Sequence, residues 1–361
     1  MDKVGLTQSE VAKRLEVSRE AVSQWFRHTT FPRPDKLLKL AKLLNLSFNE
    51  LVIREEKDAP VVAYRRVRAS KTKDHHIEKA QHMGRLLRQL VPFLPFDSLE
   101  VPPVLKDPHS EYAYIQQVVA KVRQDILADQ YAALDFHQLI RRFLVLQAVL
   151  IPVLWGARQH HGNALHVFLP DSKTTWVYLN LDVNIHDFKF WMAHELGHCM
   201  APALRGDEGE DFADAFAGAL LFPREKAELA YTQLKRLKSA EAVDKRLLAL
   251  AEEEIISPYT ILTEVNHFAV HHGMPEIEKS PDFFRRLTIF NQQYPNVSSL
   301  MLEAEPATAA ALVEKSSEAL ETPFFSMLRS YLQDTEQGYG FVQTVMDLPL
   351  LDAKGIHAEL S

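Results

Sequence analysis

The sequence predicts a multidomain protein with an all-α N-terminal domain, an α+β domain that contains a small sheet, and a mainly helical C-terminal region. Three observations support this fold class. Apolar residues recur at helical spacing in short segments between residues 6 and 53, and again beyond about residue 280. Between these regions, two apolar stretches of strand length, ALHVFLP and TTWVYLNLD, precede two long amphipathic helices. We therefore expect four parts, with the boundaries 1–55, 56–109, 110–280 and 281–361.

The composition excludes several classes of protein. Of the 361 residues, 47% are hydrophobic and 25% are charged, which is typical of soluble globular domains. The N-terminus is charged from its second residue, unlike a signal peptide, and the apolar stretch 143–155 is too short to span a bilayer. The stretch 143–155 instead predicts a core helix that continues into a buried strand. The single cysteine, Cys199, excludes an internal disulfide framework. We therefore expect a cytoplasmic protein without a membrane partner.

The charge of the chain is unevenly distributed. Residues 1–80 contain 17 Lys and Arg against 11 Asp and Glu, a net charge of +6, whereas the remaining residues contain 24 against 37, a net charge of −13. This distribution indicates that only the basic N-terminal part meets a polyanion. The basic segment YRRVRASKTK (64–73) is either a solvated linker or a tether that follows phosphates.

The N-terminal part shows a close succession of helical segments. The first, LTQSEVAKRLE, has Thr7 as its N-cap and Glu10 three residues later, which is the pattern of a capping box. After a short turn, Ser18 caps a second helix, SREAVSQWFRH. A third helix, PDKLLKLAKLLN, and a short fourth helix from Ser47 follow. Two helices joined by such a turn form the helix-turn-helix arrangement.

These segments closely resemble the DNA-binding domains of the XRE (Cro/cI-like) family. The resemblance implies that the partner is double-stranded DNA with an operator-type site, and dimerisation is usual for such domains. It also implies a set of DNA contacts. The residues that would face the major groove are Ser18, Arg19, Glu20, Ser23 and Gln24, and those that would contact phosphates are Gln8 and Arg27. A small helical bundle that binds protein is the alternative.

The segment IHDFKFWMAHELGH predicts one helix that begins after Asn184. In a helix, His194 and His198 lie four residues apart on one face, so both imidazoles can bind the same tetrahedral ion. Glu195 lies one position round the helix, where its carboxylate can reach a water on that ion. This division of roles is that of H-E-x-x-H zinc hydrolases, with Glu195 as the catalytic base and Zn²⁺ as the cofactor.

A second helix is predicted in the acidic segment RGDEGEDFADAFAGALLFP (205–223). If the two helices form an antiparallel hairpin, His198 near the end of the first faces Glu210 near the start of the second. We therefore predict Glu210 as the third zinc ligand. Asp214, one turn later, is placed to hold the second nitrogen of a ligand histidine. Glu208 and Asp214 are the alternative third ligands.

HELGH (194–198) and FAGALLFP (216–223) resemble the ImmA/IrrE family of zinc metallopeptidases, and the looser resemblance extends over about 110–275. It implies a zincin-like metallopeptidase domain with endopeptidase activity. The protein substrate would be a transcriptional repressor, cut in trans, or this chain itself near its linker at 56–75. Together with the N-terminal domain, this predicts a DNA-binding regulator in a stress or mobile-element response.

Two other interpretations of the chain are open. The chain is alternatively a repressor or antitoxin-like transcription factor whose peptidase-like domain is a non-cleaving sensor or partner-binding module. Both histidines of HELGH are alternatively satisfied by backbone or carboxylate partners.

His267 and His271 also lie four residues apart, but Phe follows the first, which favours an ordinary helix. We expect an extended peptide to pair with a free edge of the strand TTWVYLNL, before the HELGH helix.

Overall fold

The chain divides into two units, 1–57 and 58–361. The boundaries that we predict within the second unit, at 109/110 and 280/281, stay predictions. Arg27, the helix expected from Ser47 and the segment 64–73 lie outside the described residues. The computed structural model describes residues 6–26, 32, 34–44, 60–63, 74–95, 104–127, 129, 131–156, 163–302 and 308–361.

Three of the predicted helices are present in the first unit, and they are α1 (Gln8–Leu15), α2 (Arg19–Phe26) and α3 (Pro34–Leu44). They pack their apolar faces together. The residues of this core are Val11, Ala12, Leu15, Val22, Leu40 and Leu44. Lys36 of α3 donates a hydrogen bond of 2.7 Å to the carbonyl oxygen of Leu15. The cation thus lies at the negative end of the α1 dipole, which stabilises the contact between α1 and α3.

The predicted caps of α1 and α2 are confirmed. The Thr7 amide donates to Oε2 of Glu10 at 2.7 Å, and the Glu10 amide donates to the Thr7 hydroxyl at 3.3 Å, which completes the capping box. Glu16 ends α1 in the left-handed conformation with φ of 53°. The Ser18 hydroxyl then accepts a hydrogen bond of 3.0 Å from the Ala21 amide at the start of α2. These local interactions define the turn between the two helices.

A four-stranded sheet lies at the centre of the second unit, with the strand order β1-β3-β4-β2. The strands are β1 (Val61–Ala63), β2 (Ala148–Val153), β3 (Ala164–Leu169) and β4 (Thr174–Asn180). β3 is antiparallel to both β1 and β4, and β2 is parallel to β4. The predicted pair of strands and the predicted passage from a helix into a buried strand are both confirmed.

The expectation that β4 has a free edge is wrong. β4 pairs with β3 on one side and with β2 on the other, and all of its residues are buried. A strand that is apolar on both faces is typical of the centre of a sheet. Pro152, which cannot donate to a ladder, is tolerated because β2 is an edge strand.

Helices surround this sheet and share one apolar core with it. Before β2 they are α4 (Asp74–Leu87), which continues as a 3₁₀ helix (Arg88–Phe93), α5 (Tyr112–Ile126) and α6 (Phe136–Val145). After β4 they are α7 (Ile185–Met200), α8 (Gly206–Leu221), α9 (Arg224–Lys235), α10 (Ala240–Glu254), α11 (Pro258–His271) and α12 (Phe283–Gln292). The last are α13 (Val297–Leu302), α14 (Ala309–Ala319), α15 (Phe324–Thr335), α16 (Tyr339–Met346) and α17 (Leu350–Leu360).

The C-terminal helices are joined to the sheet by buried hydrogen bonds. The Tyr178 hydroxyl of β4 donates a hydrogen bond of 2.7 Å to the carbonyl oxygen of Val345. The indole nitrogen of Trp155, which follows β2, donates a hydrogen bond of 3.0 Å to the carbonyl oxygen of Met346. The predicted helical C-terminal region is therefore part of the same core. Within the described residues, no helix has both the length and the apolar character needed to cross a bilayer.

Helices α7 and α8 form the predicted antiparallel hairpin, and they pack closely. The Asn184 side chain accepts a hydrogen bond of 3.1 Å from the His186 amide, so the predicted N-cap of α7 is confirmed. A Cβ atom on Gly197 would lie 3.1 Å from the Cα of Ala213 and 3.2 Å from Cδ1 of Phe216. Gly197 therefore allows α7 to approach the backbone of α8.

We predict that Gly197→Ala lowers the free energy of unfolding by about 1–3 kcal/mol, because the added methyl overpacks the contact between α7 and α8. The measurement is denaturant unfolding of the full chain. Gly340→Ala is the matched control, since a Cβ at Gly340 would meet no atom within 4 Å among the described residues. Equal effects of the two substitutions would contradict the close approach.

Candidate metal centre

Three side chains of the α7–α8 hairpin converge on one point. The Nε2 atoms of His194 and His198 are 3.2 Å apart. Nε2 of His194 is 3.5 Å from Oε2 of Glu210, and Nε2 of His198 is 3.5 Å from Oε1 of the same carboxylate. Both histidines are buried, and the Glu210 side chain is mostly buried. Among the described residues, these three form a group that could hold a metal ion.

The connection between α7 and α8 explains how Glu210 reaches the histidines. Gly206 begins α8 with φ of +59°, a conformation that L side chains rarely adopt. A Cβ atom on Gly209 would lie 3.1 Å from the carbonyl oxygen of Leu204, so the first turn of α8 lies against the connection itself. This compact reversal places Glu210 opposite the last turns of α7.

Asp214 lies one turn after Glu210 on α8 and contacts the second nitrogen of His194. Its Oδ1 is 2.9 Å from Nδ1 of His194, on the side of the ring away from His198. A carboxylate in this position fixes the orientation of the imidazole and directs Nε2 towards the cluster. The alternative ligand Glu208 is exposed on α8 and is not part of the group of three.

Glu195 is a buried carboxylate next to the cluster, with 3% of its surface exposed. Burial raises its pKa to about 8, although His194 acts in the opposite direction, and Glu210 and Asp214 add to the rise. Within the described part of the chain, Oε2 of Glu195 has no hydrogen-bond partner. A buried carboxylate in such surroundings is costly unless a proton or a cation compensates its charge.

The two histidines have opposite pKa shifts. Burial lowers the pKa of both, but in His194 the hydrogen bonds to Asp214 and Glu210 outweigh it and raise the pKa to about 9. Burial, together with the neighbouring His194 and His166, lowers the pKa of His198 well below its usual value. Without an ion, the neighbouring carboxylates therefore favour a proton on His194 and burial favours the neutral form of His198, and a metal ion would replace that proton.

The donor set fits a zinc ion. Nitrogen and oxygen ligands of a tetrahedral zinc lie about 2.0–2.2 Å from the ion, and thus about 3.3–3.5 Å from one another. The measured separations of 3.2 and 3.5 Å agree with that geometry. A divalent cation would also compensate the buried charge of Glu195 and Glu210.

The structure adds His166 of β3 to the neighbourhood, which the sequence analysis missed. Its ring centroid is 5.6 Å from that of His198. Burial lowers its pKa to about 3, so the ring is neutral. The available signal was a single histidine in the otherwise apolar strand ALHVFL, but the sequence does not show that this residue faces α7.

A cavity of about 590 Å³ adjoins the centre on the side of α11. Asp214 and Trp191 line it, and so do Glu264 and His267, whose Oε1 and Nδ1 atoms are 3.2 Å apart. The helix predicted for HFAVHH is confirmed as the end of α11. His267 thus lines the same cavity as Asp214, and Glu264 is a buried charged residue that the sequence analysis missed.

The described residues among the predicted DNA contacts lie at the start of α1 (Gln8), just before α2 (Ser18) and along α2 (Arg19, Glu20, Ser23 and Gln24). Four of them, Ser18, Arg19, Glu20 and Gln24, are exposed. Two others, Gln8 and Ser23, are partly buried. Residues that precede and begin the second helix of such a motif are available to the grooves of DNA.

Comparison with known proteins identifies the first unit. Residues 1–51 match the family model described as helix-turn-helix. The match confirms the predicted N-terminal domain and supports a DNA-binding regulator that binds double-stranded DNA. The comparison with curated proteins found no match, and the comparison with solved structures found none either.

Proposed function

We propose that this DNA-binding regulator carries a zinc-dependent endopeptidase in its second unit. The observation that carries the proposal is the convergence of His194, His198 and Glu210 on one point, with the buried Glu195 beside it. The resemblance of HELGH and FAGALLFP to ImmA/IrrE metallopeptidases supports the same assignment, including a zincin-like fold.

His194, His198 and Glu210 would hold the zinc ion. When bound, Zn²⁺ supplies a Lewis acid that polarises a peptide carbonyl and lowers the pKa of bound water to about 7. Asp214 keeps Nδ1 of His194 engaged, so that Nε2 of this ring stays directed at the cluster.

Glu195 is the residue that would move the proton. Its burial makes the carboxylate a stronger base than an exposed glutamate, because the charged form loses hydration. In the proposed reaction Glu195 accepts a proton from the attacking water and donates it to the nitrogen of the leaving amine. Its carboxylate lies one helix position from the ligand His194, which is the spacing that this role requires.

The proposed substrate is a protein, and specifically a transcriptional repressor that is inactivated by a cut between its DNA-binding and dimerisation parts. The resemblance to the ImmA/IrrE family and the DNA-binding domain on the same chain support this choice. In the alternative form of this proposal, the peptidase cuts its own chain near the linker at 56–75. Either event would couple a stress or mobile-element signal to transcription.

We predict that the purified chain binds one Zn²⁺ with high affinity and that Glu210→Gln weakens binding by roughly 100-fold or more, because one of three ligands loses its charge. Glu208→Gln is the matched control, since Glu208 lies on the same helix but is exposed. Metal content and competition with a chelator give the measurement. A larger loss in Glu208→Gln than in Glu210→Gln would reject the ligand assignment.

We predict that Glu195→Gln keeps the bound zinc but lowers the cleavage rate by about 100- to 10,000-fold, because the variant loses its general base. Proteomes of cells that express the wild type or the variant are compared after induction. The expected result is a protein fragment that accumulates only with the wild type. A zinc-loaded variant that yields the same fragments and phenotype would refute the enzyme and favour a non-cleaving sensor.

We predict that Arg19→Ala and Gln24→Ala each weaken binding to a selected DNA sequence by about 5- to 150-fold, because each removes a contact to a base edge. The sequence is obtained by selection from random duplexes, and binding is measured by footprinting. Lys245→Ala, an exposed lysine of the second unit, is the control. Unchanged sequence-specific binding by both variants would remove α2 as the recognition helix.

A further inference from the structure

Strand β1 pairs with β3 along an edge that would otherwise be open. The two strands are antiparallel, with Val62 opposite Val167 and Ala63 opposite His166. β1 has three residues, whereas β3 has six. Without β1, the amide and carbonyl groups of β3 on this side would have no strand to pair with, and such an edge is a template for another extended segment.

This edge lies beside the candidate metal centre. A small cavity is lined by Val61 and Val62 of β1 together with His166, His198 and Glu210. The segment that pairs with β3 here therefore runs past two of the three ligand candidates. An extended peptide added to a sheet edge gains main-chain hydrogen bonds, while its alternate side chains occupy neighbouring pockets.

β1 is a short strand of three residues. Val61 and Val62 are only partly buried. The preceding Pro60 is buried against α4, where a Cβ atom on Gly84 would lie 2.5 Å from the Cβ of Pro60. A strand of three residues contributes few ladder hydrogen bonds, so its displacement costs little compared with that of a longer strand.

β1 lies close to the first unit along the sequence. Only residues 58–60 separate this strand from the unit that ends at Lys57. A tethered segment also has a high effective concentration, on the order of mM for a short linker, and competes strongly with a free peptide.

We propose that the β3 edge is the binding site for an extended peptide of a protein substrate, and that β1 occupies this site as an internal competitor. The inference rests on the proposed function and adds its regulation. Peptide enters only when β1 leaves the edge, and it then pairs antiparallel to β3 beside His194, His198 and Glu210. The second unit is thus closed towards its substrate in the arrangement described above.

A reversible covalent lock tests the competition. Val62→Cys and Val167→Cys place two thiols on directly opposite residues, whose Cβ atoms are about 4.5–5.5 Å apart in such pairs, within a small shift of disulfide geometry. Cys199, the single native cysteine, is buried. The probe is a fluorescent peptide with the sequence DAPVVAYRR of residues 58–66, and the full chain is zinc-loaded and carries Glu195→Gln so that bound peptide is not cut.

We expect the oxidised protein to bind no measurable peptide by fluorescence anisotropy and the reduced protein to bind it. Gly84→Ala releases the strand by displacing Pro60, and it should bind peptide at least about tenfold more tightly than the parent chain. Gly340→Ala is the matched control and should leave the affinity unchanged, because a Cβ there would meet no described atom within 4 Å.

Equal peptide binding by the oxidised and reduced forms would overturn the proposal, and so would an unchanged affinity in Gly84→Ala. Failure of the two thiols to pair would contradict the register on which it rests. Hydrolysis by the chain with native Glu195 is scored separately. If the disulfide blocks peptide binding but no hydrolysis is found, the peptidase is rejected and the edge site stands. If hydrolysis is found but the disulfide does not affect peptide binding, the peptidase stands and the edge site is rejected.

Discussion

The close packing of α7 on α8 is the contact on which the candidate centre depends. Gly197 lies inside the HELGH segment, and its missing side chain brings the backbone of α7 near Ala213. With a larger residue at this contact, Glu210 would move away from His194 and His198. One glycine between two ligand candidates therefore permits the close approach of the two helices that carry the cluster.

The chemistry of the centre follows from its burial. Two imidazoles and two carboxylates, those of Glu195 and Glu210, lie close together in an apolar interior, where uncompensated charge is costly. The opposite pKa shifts of His194 and His198 show how strongly these groups interact. Such an arrangement contributes little to stability by itself. The proposed zinc ion would compensate this charge through His194, His198 and Glu210, with Glu195 beside it.

Local patterns predicted the parts of the fold that depend on local interactions. The capping box at Thr7, the N-cap at Asn184 and the hairpin that joins His198 to Glu210 follow from residue spacing within one or two helices. The neighbours of β4 did not follow, because a strand that is buried on both faces has no alternation that indicates its partners. His166 was missed for a related reason, since a single sequence does not show which isolated polar residues meet in space.

The hydrogen bonds between the sheet and the C-terminal helices set a limit on how the chain can be divided. The Thr322 hydroxyl donates to the carbonyl oxygen of Leu150 on the edge strand β2, and Tyr178 donates to Val345. A fragment that stops near residue 280 would leave the Leu150 carbonyl without its donor and the Tyr178 hydroxyl without its acceptor, and it would uncover the apolar flank of β2. Such a flank is an aggregation hazard. The last eighty residues therefore act as an obligatory cover, so shortened versions of the second unit need a replacement for it.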